Sequence, residues 1–192
     1  MPIISLQGGM AVGKTTLAHR LKDRLNKAEV AFEYPKKRPD GLDMFKEKDY
    51  YKIQRYFINL EIERYKALPP GNAIIDLGPE EIEFYTLFFP KSIGQNWDVE
   101  KELKEELTVL RDCKVDGILY LDGSPEILFS RKLGDSERKR GSFENYIKYL
   151  HPFKKPWFEK NKCATILNID NMNPEITLEW TLNWLKQVWN IE

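Results

Sequence analysis

Short apolar runs alternate along the chain with longer segments whose apolar residues recur every three or four positions. The runs are Ile3 to Gln7, Val30 to Tyr34, Ala73 to Leu77, Gly117 to Asp122 and Ala164 to Asp170. Runs this short and this continuous read as strands buried on both faces. Helical spacing covers Lys14 to Lys27, Asp49 to Ala67, Pro79 to Phe88, Val99 to Asp112, Pro125 to Leu133, Phe143 to Glu159 and Pro174 to Trp189. Strands that alternate with helices predict an α/β fold: a five-stranded parallel sheet with helices on both faces, hence three layers.

The boundaries carry their own signals. Ser124-Pro125 and Asn173-Pro174 each place a capping side chain ahead of a proline at the first helical position, where the missing amide hydrogen costs nothing. Leu68-Pro69-Pro70-Gly71-Asn72 ends the second long helix and turns into the third strand. No repeat, low-complexity stretch or linker divides the 192 residues, so one domain spanning 1–192 is expected.

Charge narrows the partners. The 30 Lys and Arg balance the 30 Asp and Glu, so no overall field favours nucleic acid or an anionic membrane surface. The apolar runs are far shorter than the ~20 residues that span a bilayer, and the N-terminal residues show no basic and apolar leader, so a cytoplasmic location without membrane attachment is expected. Cys113 and Cys163 are too far apart for a metal knuckle and read as ordinary thiols. His19 and His151 have no evident catalytic partner, and Trp180, Trp184 and Trp189 fall at helical spacing that suits core packing.

Chemistry concentrates near the N-terminus. Gly8-Gly9-Met10-Ala11-Val12-Gly13-Lys14-Thr15 has the spacing of a phosphate-binding loop, and Thr16 follows it. Such a loop bends so that its amides converge on an anion, and the helix behind adds its own N-terminal amides and dipole. Lys14 supplies charge to the outer phosphates, and Thr15 offers a hydroxyl to magnesium. The apolar strand before Gly8 and the helical spacing after Thr15 provide the context this motif needs. The guanine-reading pattern Asn-Lys-x-Asp is incomplete at Asn161-Lys162-Cys163-Ala164, which argues against a GTPase. Small size and a late basic segment favour a kinase of small molecules.

In open α/β sheets ligands lie beyond the carboxyl ends of the strands. Glu33 and Asp76, which follow the second strand and end the third, should therefore approach the phosphate loop. One would accept a hydroxyl proton and the other would serve magnesium. The basic residues Arg131, Lys132, Arg138, Lys139 and Arg140 surround a Gly-flanked segment, Gly134 to Gly141, suited to closing over the phosphates as a short lid, about 131–142.

With these residues in view, the sequence resembles the deoxynucleoside kinase and thymidylate kinase branch of the P-loop kinases. Met10 stands where the deoxynucleoside kinases carry an apolar residue and thymidylate kinases an Asp, so the first group is the closer match. Glu33 corresponds to the family's Glu after the second strand, with Tyr34 inserted before Pro35. Gln54-Arg55-Tyr56 resembles the Gln-x-Tyr whose amide reads a base edge. Ser124-Pro125-Glu126 and Arg131 resemble the opening of the family's lid, with Ser130 in place of a Glu. Arg138-Lys139-Arg140 matches its Arg-x-Arg, and Tyr146 to His151 with Trp157-Phe158 resembles the helix beyond. The family's Asp-Arg or Glu-Arg after the third strand is here Asp76-Leu77, so the arginine that contacts the acceptor is absent. Arg55, Arg64, Lys36, Lys37 and Arg38 are the cations that could stand in, and no spacing selects among them.

The resemblance implies a P-loop kinase that uses ATP and Mg2+ to phosphorylate a nucleoside or nucleoside monophosphate, with the deoxynucleoside kinases favoured and a homodimer common among relatives. Gly8 to Thr16 would hold the nucleotide, and Lys14, Glu33, Arg131, Arg138 and Arg140 would carry catalysis. Glu33, Gln54, Arg55 and Asp76 would meet the acceptor, and Thr15 and Asp76 the metal. Two alternatives stay open: a kinase of another small alcohol, such as an antibiotic or sugar, and a nucleotide-binding module that has lost catalysis.

Overall fold

The computed structural model describes residues 2–33, 37–134 and 143–190. These fall into two compact units. The first comprises Met1–Glu33, Pro69–Leu77 and Val115–Glu192, the second Tyr34–Leu68 and Gly78–Lys114.

The first unit contains the whole sheet: β1 (Ile3–Gly8), β2 (Ala28–Ala31), β3 (Asn72–Asp76), β4 (Gly117–Asp122) and β5 (Ala164–Asn168). All pairings are parallel and the order is β2-β3-β1-β4-β5, which puts β1 at the centre. Its own helices are α1 (Lys14–Arg24), α6 (Pro125–Gly134), α7 (Phe143–Tyr149), α8 (His151–Glu159) and α9 (Pro174–Trp189). The twofold alternation of a strand divides β4 between two apolar clusters. Leu119 and Leu121 join Ile4, Leu6, Leu17, Leu21, Trp184 and Trp189, whereas Ile118 and Tyr120 join Phe158 of α8. Both faces of the sheet are thus covered at β4, whose residues from Gly117 to Leu121 are all buried.

The second unit is helical: α2 (Glu47–Lys66), α3 (Pro79–Ser92), α4 (Val99–Glu102) and α5 (Lys104–Arg111). Tyr50, Ile58, Ile62, Val99, Leu103, Leu107 and Leu110 form its core. Among the described residues no helix is long and apolar enough to cross a membrane.

Most expected elements are present, with some departures. The second strand is Ala28–Ala31, earlier and shorter than Val30 to Tyr34. The third helix continues past Phe88 to Ser92 with Pro90 inside it. Pro90 cannot donate to the Thr86 carbonyl, but the Tyr50 hydroxyl donates to that oxygen at 2.9 Å and replaces the missing bond. Two long helices are broken. Val99 to Asp112 divides at Leu103, which adopts φ −115°, ψ 25° and is fully buried. Phe143 to Glu159 divides at Leu150, just before the His151-Pro152 step, because proline lacks the amide that would continue the α7 ladder. The proline caps behave as expected: Asn173 accepts from the Ile176 amide at 2.9 Å, and the Ser124 hydroxyl accepts from Ile127 at 3.4 Å.

Candidate active site

The turn after β1 is built by its glycines. Gly8 has φ 137° and Gly13 φ 103°, conformations that side chains resist, and Ala11 between them also lies at positive φ, 64°. A methyl group on Gly8 would sit 2.3 Å from the Leu121 carbonyl oxygen of the adjacent strand. Gly13 is the N-cap of α1 and has no side chain with which to accept from the first amides. Those amides and the helix dipole are therefore available to an anion. Lys14 folds back over the loop, its Nζ donating to Gly9 O at 2.7 Å and to Gly8 O at 3.1 Å. Thr15 is half-buried and Thr16 exposed beside it.

Asp76 ends β3 in register with Leu6 of β1, two residues before the loop begins. Its carboxylate is fully buried. Buried ionised carboxylates are found paired or coordinating metals. A carboxylate and the Thr15 hydroxyl are both hard oxygen donors, which suits magnesium, a cation that takes one or two protein ligands and completes its shell with water and phosphate oxygens. The following helix has Gly78 as its N-cap. Leu77, where the resembling family carries arginine, sits at φ 60° and donates its amide to Leu6 O at 3.2 Å. A branched residue held in the left-handed region stores strain of the kind found near functional sites. Glu33 lies exposed two residues past the end of β2.

Arg131 lies within α6 and reaches the back of the loop. Its guanidinium donates to Val12 O at 2.7 Å, Met172 O at 3.0 Å and Ile169 O at 3.4 Å. Burial pulls its pKa down while Asp170 opposes that shift. Arg138 and Arg140, with most of the expected lid, lie outside the described residues.

A further lysine supports the loop from beneath. Lys154 of α8 is 1% exposed, and its Nζ donates to Gly8 O at 2.9 Å. The Tyr146 ring lies 5.8 Å from that nitrogen, and His151 packs edge-on against the same ring. Burial, which outweighs the opposing pull of Asp122, lowers the pKa of His151. Lys155 next door pairs with Asp122 at 2.7 Å. Sequence reasoning passed over Lys154, although a signal existed. Tyr146, Leu150, Lys154 and Phe158 recur every fourth residue and are all buried, so Lys154 stands in an apolar stripe where a charge needs a reason.

The second unit holds the other expected residues. Gln54 is buried on α2, and its Oε1 accepts from the Thr86 hydroxyl at 2.8 Å. That bond fixes the plane of the amide. Arg55, one position on, turns outward and pairs with Glu106 of α5. Burial alone would raise the Glu106 carboxyl, but the Arg55 guanidinium holds it below the ordinary range. Arg64 also has a partner, donating at 2.6 Å to Glu61, whose side chain is wholly buried. Gln54 and Glu61 are polar residues on the buried stripe of α2, a signal that applied to both although only Gln54 was singled out.

No family model matches the chain. A fowlpox virus (strain NVSL) protein described as a probable deoxycytidine kinase is 25% identical over 169 residues, covering 82% of this chain and 72% of that protein. Among solved structures, deoxyadenosine kinase from M. mycoides with bound dATP superposes with a TM-score of 0.74 at 19% identity, covering 96% of this chain and 99% of that one. The same enzyme with products dCMP and a flexible dCDP gives 0.72 at 17% identity, covering 97% and 99%. Its dCTP-bound form gives 0.68 at 19%, covering 96% and 99%.

Proposed function

We propose that this chain, which has the five-stranded parallel P-loop fold of the deoxynucleoside kinases, is an ATP-dependent phosphotransferase acting on a deoxynucleoside. The observation that carries the reading is the phosphate loop itself. Lys14 is folded onto the loop carbonyls at an uncapped helix N-terminus, with the buried Asp76 closing the adjacent strand. A deoxycytidine kinase relative and deoxyadenosine kinase neighbours support a deoxynucleoside acceptor over a sugar or an antibiotic.

In this mechanism the loop amides from Gly8 to Thr16 and the Lys14 ammonium bind the triphosphate and orient it. Thr15 and Asp76 would hold magnesium, which when bound neutralises charge on the phosphates. The acceptor hydroxyl oxygen forms a bond to the γ-phosphorus while the bond from that phosphorus to the bridging oxygen of ADP breaks. The hydroxyl proton passes to the Glu33 carboxylate. Gln54, whose amide is held by Thr86, and Arg55, which pairs with Glu106, would be the acceptor contacts of the second unit. Arg131 holds the loop from behind, and Arg138 and Arg140 supply charge to the transferred group.

The test is magnesium-dependent release of ADP from ATP across deoxycytidine, deoxyadenosine, the other nucleosides and their monophosphates, with Lys14→Ala as the blank. Stimulation by a deoxynucleoside, abolished in the variant, is the expected result. Binding of ATP without stimulation by any nucleoside or monophosphate would refute the acceptor assignment. Undiminished turnover in Lys14→Ala would refute the mechanism.

A further inference from the structure

Lysine is almost never fully buried unless its ammonium has a partner, because taking the charge out of water is costly. The burial of Lys154 therefore points to a role, and its bond indicates which. Gly8 O accepts from two ammonium groups, Lys14 at 3.1 Å and Lys154 at 2.9 Å. The Tyr146 ring from α7 lies 5.8 Å from the Lys154 nitrogen, and His151 on the same helix as Lys154 packs against that ring.

We propose that Lys154 is a positioning residue that keeps the Gly8 carbonyl satisfied while Lys14 moves from the loop to the bound phosphates. Lys14 reaches a triphosphate only by giving up its carbonyl partners. A buried carbonyl left without a donor would oppose that movement. Lys14 is half-buried on a flexible stem and can leave, whereas Lys154 is enclosed by α7 and α8 and stays. Lys154 therefore raises triphosphate affinity without touching the ligand. This inference rests on the loop being a triphosphate site.

The experiment is calorimetric titration of the full chain with magnesium and ATP, in wild type, Lys154→Met, Lys14→Met and the double variant. Lys154→Met should weaken ATP binding about tenfold, the change expected when a charge-assisted hydrogen bond is lost. In the Lys14→Met background the same substitution should change affinity less than about twofold, because no lysine remains to be released. Wild-type affinity in Lys154→Met, or an equal loss in both backgrounds, would overturn the proposal. If Lys154→Met does not fold, ammonium-detected 15N NMR of the wild-type chain decides the matter. The Lys14 signal should shift on adding ATP while Lys154 stays protected from water, and loss of that protection would overturn the idea. Tripolyphosphate, run in parallel, separates the two hypotheses. Its binding without ATP binding refutes the nucleotide reading and leaves the lysine comparison intact, while failure of both ligands to bind overturns both.

Discussion

Replacing Gly8 by Ala should disrupt the sheet and the phosphate loop together, and the structure sets the size of the effect. The added methyl lies 2.3 Å from Leu121 O and 3.1 Å from Val12 Cγ1. The first contact is with backbone that is paired in register with Gly8, so it cannot rotate away. Relief requires β1 and β4 to separate or the turn to flatten. Holding an alanine at φ 137° costs about 1–3 kcal/mol, and inserting a methyl group into close-packed surroundings costs a further 1–3 kcal/mol or so. A loss of about 2–6 kcal/mol is a large part of the roughly 5–15 kcal/mol that holds a protein folded. For a chain of this size it lowers the melting temperature by about 5–25 °C. Urea unfolding followed by the fluorescence of Trp184 and Trp189, which sit in the core of the same unit, reads the change directly. Gly134→Ala is the control, since no atom lies within 4 Å of its added methyl and stability should stay within about 0.5 kcal/mol. A Gly8→Ala protein within about 1 kcal/mol of wild type would show that neither the backbone conformation nor the approach of Leu121 constrains this residue.

Two further outcomes follow from buried charge. Arg64→Met leaves the wholly buried Glu61 carboxylate without its guanidinium and should cost about 3–5 kcal/mol, while combining it with Glu61→Leu should recover most of the loss. A single-variant cost under about 1 kcal/mol in chemical denaturation would contradict this. His151 binds a proton less readily in the folded chain than in the unfolded one, chiefly because of burial. The unfolded state therefore holds more protons as pH falls below the ordinary histidine range, so this residue's contribution to stability is complete above that range and lost on acidification. Melting temperatures between pH 5 and 7 should rise with pH, and His151→Phe should flatten the slope; an unchanged slope would remove His151 as the cause.

The sheet, its helices and the phosphate loop were legible in the sequence because their signals are local. Apolar runs mark buried strands, a proline after Ser124 or Asn173 marks a helix start, and the loop's glycines and lysine lie within eight consecutive residues. What local pattern misses is compensation from afar. Pro90 reads as a helix stop, yet the Tyr50 hydroxyl, 36 residues before Thr86 in the chain, supplies the missing donor. The basic residues late in the chain read as one group, and only the fold shows that Arg131 among them donates to the carbonyl of Val12, 119 residues earlier.

The sequence by itself determined the strands, the helices and the glycine-built turn after β1, since helix and strand periods, proline caps and turns depend on neighbours within a few residues. Only the tertiary structure decided which distant groups complete them. It put β1 in the middle of the sheet with Asp76 at the end of the adjacent strand, fixed the Gln54 amide through Thr86, and brought Lys154 to a carbonyl 146 residues away. Parallel pairing and burial join residues without regard to their separation along the chain, and a buried polar group must find its partner wherever the packing brings one.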